Sequence, residues 1–229
     1  MGIVVVWEPN RIRGILPRLR LSIRRALKPR IFGAIAGLSD ESVLALATPR
    51  RLRRAKDEWG ASPLVACIGA RRSGLACQLI DRGGNSAGDG ALAHAAMQGD
   101  LQVVVKLLES GANPDETLPG DGQHDGFTPL IWATNRHHFD VMRRLLEAGA
   151  NINAVAKDGT TASICTRVGT DQDLVALRIL CPYLPDLTVR DWRGRCLIDE
   201  ARDRERCGGQ SEMRQILEQH FPDLVLREP

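Results

Sequence analysis

An all-α solenoid of about five to six helix–turn–helix units is the fold class that this sequence predicts, and three observations predict it. Residues 126–153, GFTPLIWATNRHHFDVMRRLLEAGANIN, encode two short amphipathic helices with their own start and stop signals. Thr128 is placed to cap the first helix, Pro129 sits in its first turn where a missing N–H costs nothing, and Gly149 supplies a left-handed exit from the second. Such a unit exposes an apolar face that it cannot bury alone, and the chain repeats it. Counterparts of the Thr128 turn occur at Ser62 (GASPLVACI), Gly90 (GDGALAHAAMQGD), Thr161 (GTTASICT) and Cys196 (GRCLIDEA), each followed by a second helical stretch. Composition agrees: 43% hydrophobic residues suffice for a core, while only 4% aromatic residues suit thin layers filled by Ala and Leu.

Residues 1–30 match no repeat. Within them Ile12, Ile15, Leu16, Leu19, Ile23 and Leu27 recur at helical spacing, with Arg13, Arg18, Arg20, Arg24, Arg25 and Lys28 largely elsewhere on the wheel. This basic amphipathic segment has three readings: a cap over the first repeat, a membrane-surface helix, or a partner-binding arm. The cap is the expectation, because solenoid ends need protection. Residues 31–46 read as a degenerate first unit, with Ser39 near the start of its second helix. The run 49–56, PRRLRRAK, reads as a solvated approach to the next turn, and alternatively as an electrostatic patch for an acidic partner or a nucleic acid. A net charge of +3 and the lack of interleaved rings argue against nucleic acid.

The turn positions Ser62 and Gly90 are 28 residues apart and Gly90 and Thr128 are 38 apart, so one shortened finger precedes one lengthened, acidic finger. Loops of this kind are better placed than helices to carry specificity. The fourth unit replaces Thr-Pro-Leu by Thr161-Ala162-Ser163 and ends in Cys181-Pro182-Tyr183-Leu184-Pro185, and the fifth carries a charged stretch between its helices. Terminal repeats are atypical because one face meets water. The expected organisation is a capping segment at 1–30, the array at 31–222 and a tail at 223–229.

With its period near 33 residues, the chain resembles the ankyrin repeat family, whose pattern runs roughly D-x-x-G-x-T-P-L-H-x-A-A-x-x-G-(H/D/N)-x-x-x-V-x-x-L-L-x-x-G-A-x-x-N. The unit from Gly126 matches almost throughout, and the unit from Gly88 matches in AHAAMQGD and LLESGAN. The resemblance implies a binding module for a protein partner, through the concave face and hairpin tips. Projected residue by residue, it places partner contacts at Glu58, Trp59, Asp89, Met97, Gln98, His124, Asp125, Phe127, Asn135, Arg136, Lys157, Asp158, Trp192 and Arg193. Trp59, Phe127 and Trp192 are expected as apolar anchors on exposed tips. The loop 113–126, with Asp115, Glu116, Asp121 and Asp125 and no Lys or Arg, is expected to select a partner with a basic patch.

Catalytic chemistry is not expected. The sequence holds no nucleophile elbow, Walker loop, dinucleotide fingerprint or HExxH motif, so neither enzyme activity nor a cofactor follows. His137 and His138 read as solvated turn residues, with no metal, and His94 as surface-lining on an inner helix. The six cysteines, Cys67, Cys77, Cys165, Cys181, Cys196 and Cys207, form no CxxC pair and read as reduced, buried thiols. The apolar run 3–7 is too short for a secretory h-region and no stretch is long enough to span a bilayer, so a cytoplasmic protein, monomeric when free, is expected. Of 31 positive residues only four are Lys, an arginine skew that suits a GC-rich bacterial genome. By analogy with the family, an immunity protein or a regulator of a toxin or effector is the narrower expectation, and a membrane-peripheral adaptor using residues 12–27 is the alternative.

Overall fold

The computed structural model describes residues 30–37, 39–57, 60–84, 88–118, 125–166, 170–206 and 212–225. Residues 1–29 of the expected capping segment 1–30 and residues 226–229 of the expected tail 223–229 lie outside these, as do Glu58, Trp59, Asp121, His124 and Cys207.

Helices pair in sequence order: α1 (Arg30–Gly37) with α2 (Asp40–Leu46), then α3 (Pro49–Arg54), then α4 (Pro63–Gly69) with α5 (Ser73–Asp81) and α6 (Ala91–Gln98) with α7 (Leu101–Glu109). They continue as α8 (Pro129–Asn135) with α9 (Phe139–Glu147), α10 (Ala162–Cys165) with α11 (Asp171–Leu180), and α12 (Leu197–Arg206) with α13 (Glu212–His220), closed by α14 (Pro222–Val225). No strand occurs among the described residues. First helices pack on first helices, α1 on α4, α4 on α6, α6 on α8 and α8 on α10, while second helices stack as α5, α7, α9, α11 and α13. The result is the layered solenoid that the repeat pattern predicts, with α1 and α2 as its degenerate first unit.

The first helices α4, α6, α8 and α10 start on capped turns. Ser62 Oγ accepts from the Val65 N–H at 3.2 Å, Thr128 Oγ1 from Ile131 at 3.4 Å and Thr161 Oγ1 from Ile164 at 3.2 Å. Gly90 has no side chain to do this, and Asp89 substitutes, accepting from the Ala91 N–H at 3.0 Å. At the far end of these helices Arg71, Gly99 and His137 occupy equivalent positions with φ of 56°, 75° and 58°. Only Gly adopts that left-handed conformation without cost, so Arg71 and His137 are mildly strained. Gly99 is needed for a second reason. A Cβ there would lie 2.5 Å from the His138 ring, which packs in from the next unit.

Leu64, Leu92, Leu130 and Leu145 are fully buried between layers. A continuous core runs from Ile31 to Leu180, and a second, smaller one around Leu187, Leu197, Met213, Ile216 and Leu217 belongs to the last unit. The run 49–56 differs from its expectation as a solvated approach. Thr48 caps it, Pro49 opens it and fully buried Leu52 fastens it, so it forms a short helix whose arginines are exposed.

Candidate functional site

Successive hairpins are laced to one another by main-chain bonds. The Lys157 N–H donates to the Asp125 carbonyl at 3.1 Å, and the Trp192 N–H donates to the Asp158 carbonyl at 3.2 Å. The Lys157 ammonium also pairs with the Asp125 carboxylate. Along this ridge Trp192 projects with 69% of its surface exposed, and the Arg193 guanidinium lies over its ring at 4.6 Å. That stacking holds both side chains at the tip in a defined arrangement. Asn135 and Arg136 are exposed at the end of α8, and Met97 and Gln98, at the equivalent end of α6, are half-buried. The fold therefore brings Asn135, Arg136, Lys157, Trp192 and Arg193 to the surface, with Met97, Gln98, Asp125 and Asp158 partly accessible.

Two expected contact residues are interior. Phe127 is only 3% exposed and packs its ring 5.1 Å from that of Trp132, because the residue before the Thr128 cap turns inward to cover the start of α8. It is a core residue and not an apolar anchor on a tip. Asp89 is 5% exposed, accepts from the Ser62 hydroxyl at 2.6 Å and caps α6, so its carboxylate links two units instead of facing a partner.

The acidic loop also departs from its expectation. Asp115 Oδ1 accepts from the Asn151 N–H at 2.8 Å, a Glu116 oxygen accepts from the Gly90 N–H, and Asp125 pairs with Lys157. Three of the loop's four carboxylates are thus bonded to neighbouring units. Glu116 reaches back to the shortened finger and supplies an acceptor for its Gly90 N–H. Burial pushes its carboxyl above the usual range, against the lowering effect of the Gly90 and Gly88 N–H groups. Of these three carboxylates, Asp125 is paired with a cation, while Asp115 and Glu116 are held by neutral N–H groups.

The two turn histidines are not simply solvated. His137 Nε2 lies 2.8 Å from Asp173 Oδ1, across to the next unit. Asp173 closes a capping box with Thr170 at the start of α11. Burial disfavours ionised Asp173, but the bonds from His137 and Thr170 outweigh it and hold the carboxyl below its ordinary value. His138 Nε2 lies 3.3 Å from the Met97 carbonyl of the preceding unit. His94 is half-buried on α6, and burial lowers its basicity, partly opposed by the charge of Asp89. The sequence carried a signal for the first pair: a non-glycine residue at the left-handed position needs support, and an acidic residue three places into the next second helix provides it.

Burial pushes the Cys67 and Cys181 thiols up to about 12, so they are inert. Among the described residues no three His, Cys, Asp or Glu are grouped to hold a metal ion, and no helix is long and apolar enough to cross a membrane.

A sequence model of ankyrin repeats, in three copies, matches residues 34–156 and 92–191. An ankyrin repeat-containing protein of Schizosaccharomyces pombe is 32% identical over 98 residues, which are 42% of this chain and 42% of that protein. The human BCL-6 corepressor-like protein 1 is 29% identical over 139 residues, 61% of this chain and 7% of the relative. The chain therefore spans less than half the length of these relatives. A solved ankyrin repeat domain from Acinetobacter baumannii AYE superposes with a TM-score of 0.67 at 25% identity, covering 82% of this chain and 95% of that one. A second solved ankyrin repeat protein superposes with a TM-score of 0.66 at 22% identity, covering 83% and 96%, a likeness of fold. Repeat pattern, layered packing and matched residues lead to one conclusion: the chain belongs to the ankyrin repeat family and is built as a protein–protein interaction module.

Proposed function

We propose that this chain is a non-enzymatic adaptor that captures one protein partner along the ridge of hairpin tips and inner-helix ends running from Gln98 through Asn135 and Arg136 to Trp192. The observation that carries this reading is Trp192. A 69% exposed indole on a backbone tied to the preceding hairpin supplies large apolar area with little entropy left to lose. Arg193 stacked on it adds a charged rim. Exposed Arg136 and Lys157 extend that rim, and Asn135 offers an amide for hydrogen bonding.

An immunity or effector-regulating role in a bacterial cytoplasm belongs to the same proposal, supported by the arginine-rich composition and the family resemblance. The test begins with a partner recovered from the native cell and continues by surface plasmon resonance. Trp192→Ala is expected to raise the off-rate about tenfold or more, the signature of a lost anchor. Unchanged kinetics in Trp192→Ala and Arg136→Glu would remove the ridge as the binding face.

A further inference from the structure

Thr48, Arg50, Arg51, Arg54 and Ala55 line an open groove of about 420 Å3 beside α3. The helix is anchored on its other side by Leu52, which is 1% exposed, so the remaining arginines are turned outward as a set. Arg51 Nη1 donates to the Leu46 carbonyl at 3.0 Å, which fixes one guanidinium against the preceding helix. Arg50 and Arg54, one helical turn apart, make no ion pair with any described residue. Nearby carboxylates are committed elsewhere: Asp40 pairs with Arg72, and Asp57 Oδ1 accepts from the Ala61 N–H at 2.8 Å. Further along the solenoid the acidic loop is likewise bonded internally. The run 49–56 itself carries five positive residues and no negative one, so the groove's own charge is positive.

We infer that this groove is a second contact surface for the partner, and that it receives an extended, carboxylate-rich peptide segment. This deepens the protein-binding reading above and rests on it. A guanidinium pairs with a carboxylate through two parallel N–H···O bonds, so Arg50 and Arg54 each suit one Asp or Glu side chain. Residues one helical turn apart have Cβ atoms roughly 5–6 Å apart. Alternate side chains of an extended peptide repeat at about 6.6 Å, so two carboxylates on one face of a strand match the pair. Single-stranded nucleic acid is the weaker fit, because among the described residues no ring lines the groove to stack a base.

Fluorescence anisotropy of labelled decaglutamate against the full chain tests this, alongside an amide NMR titration. The expected result is saturable binding that shifts the amides of residues 48–56 and weakens about tenfold in the double variant Arg50→Gln/Arg54→Gln. The charge-matched control Arg143→Gln/Arg178→Gln should change it less than about twofold, since its charges lie on another part of the array. Equal losses in both doubles, no saturable binding, or shifts confined to other residues would overturn the inference. So would tighter, Arg50- and Arg54-dependent binding of decathymidylate or of phosphatidylserine vesicles. Trp192→Ala should bind decaglutamate as the wild type does, so failure of the groove and failure of the ridge are read separately.

Discussion

The loop 113–126, described at 113–118 and 125–126, and the helix Pro49–Arg54 are two strongly charged stretches of the array, and the fold treats them in opposite ways. In the loop, Asp115, Glu116 and Asp125 each bond to a neighbouring unit, so charge that reads as a surface in the sequence serves as structural cross-linking. In the helix, only Leu52 is needed for packing, and Arg50 and Arg54 are left to solvent. The difference follows from donors. Hairpins and helix starts expose backbone N–H groups, and a carboxylate a unit away satisfies them; helix ends among the described residues offer free carbonyls, which Arg51 and Arg72 reach and Arg50 and Arg54 do not.

This contrast is breakable. The scale is set by packing: Leu145→Ala, between the layers of α8 and α9, should cost about 2–5 kcal/mol in urea unfolding. A near-zero cost would mean that burial at this site does not hold the array together. Next comes the loop. Glu116→Ala should cost about 1.5 kcal/mol by freeing the Gly90 N–H, while Glu116→Gln, which keeps an acceptor and removes a charge that burial disfavours, should fall within about 0.5 kcal/mol of wild type. Equal losses in the two variants would show that the charge, and not the acceptor, matters.

Acid sharpens the same point. His94, whose basicity is lowered by burial, should begin to erode stability as the pH falls below about 6.5, where the unfolded chain takes the proton first. Asp173, Asp186 and Asp199 all titrate below their ordinary range in the folded chain. Their contributions are complete above about pH 4 and are lost as the pH falls through the folded values. Glu116, raised instead of lowered, acts in the opposite direction and partly offsets them. Urea midpoints from pH 7.5 down to pH 3 should therefore decline in two stages, and Asp173→Asn should flatten the second. The smallest effect is expected in the arginine helix, where Arg50→Gln/Arg54→Gln should change stability by no more than about 0.5 kcal/mol. A larger loss would mean that those guanidiniums are structural after all.

The repeat architecture was legible in the sequence because its signals are local. A capping Ser or Thr, a proline in the first turn, a left-handed exit and apolar residues at helical spacing act within one unit, and Ser62, Thr128, Thr161 and Leu145 take their expected roles. Positions on the array that depend on one residue's own turn, such as exposed Trp192 and Arg136, were legible for the same reason. What only the tertiary structure decided is where a side chain meets a different unit. Asp89 turns onto Ser62, His137 onto Asp173 and Glu116 onto Gly90, and none of these pairings is encoded by spacing within a repeat, whereas Phe127 turns onto Trp132 of its own unit. The local pattern determines which residues form each layer. The stacking of layers determines which polar groups remain for a partner, because a group's desolvation and its hydrogen-bond partners depend on the unit beside it.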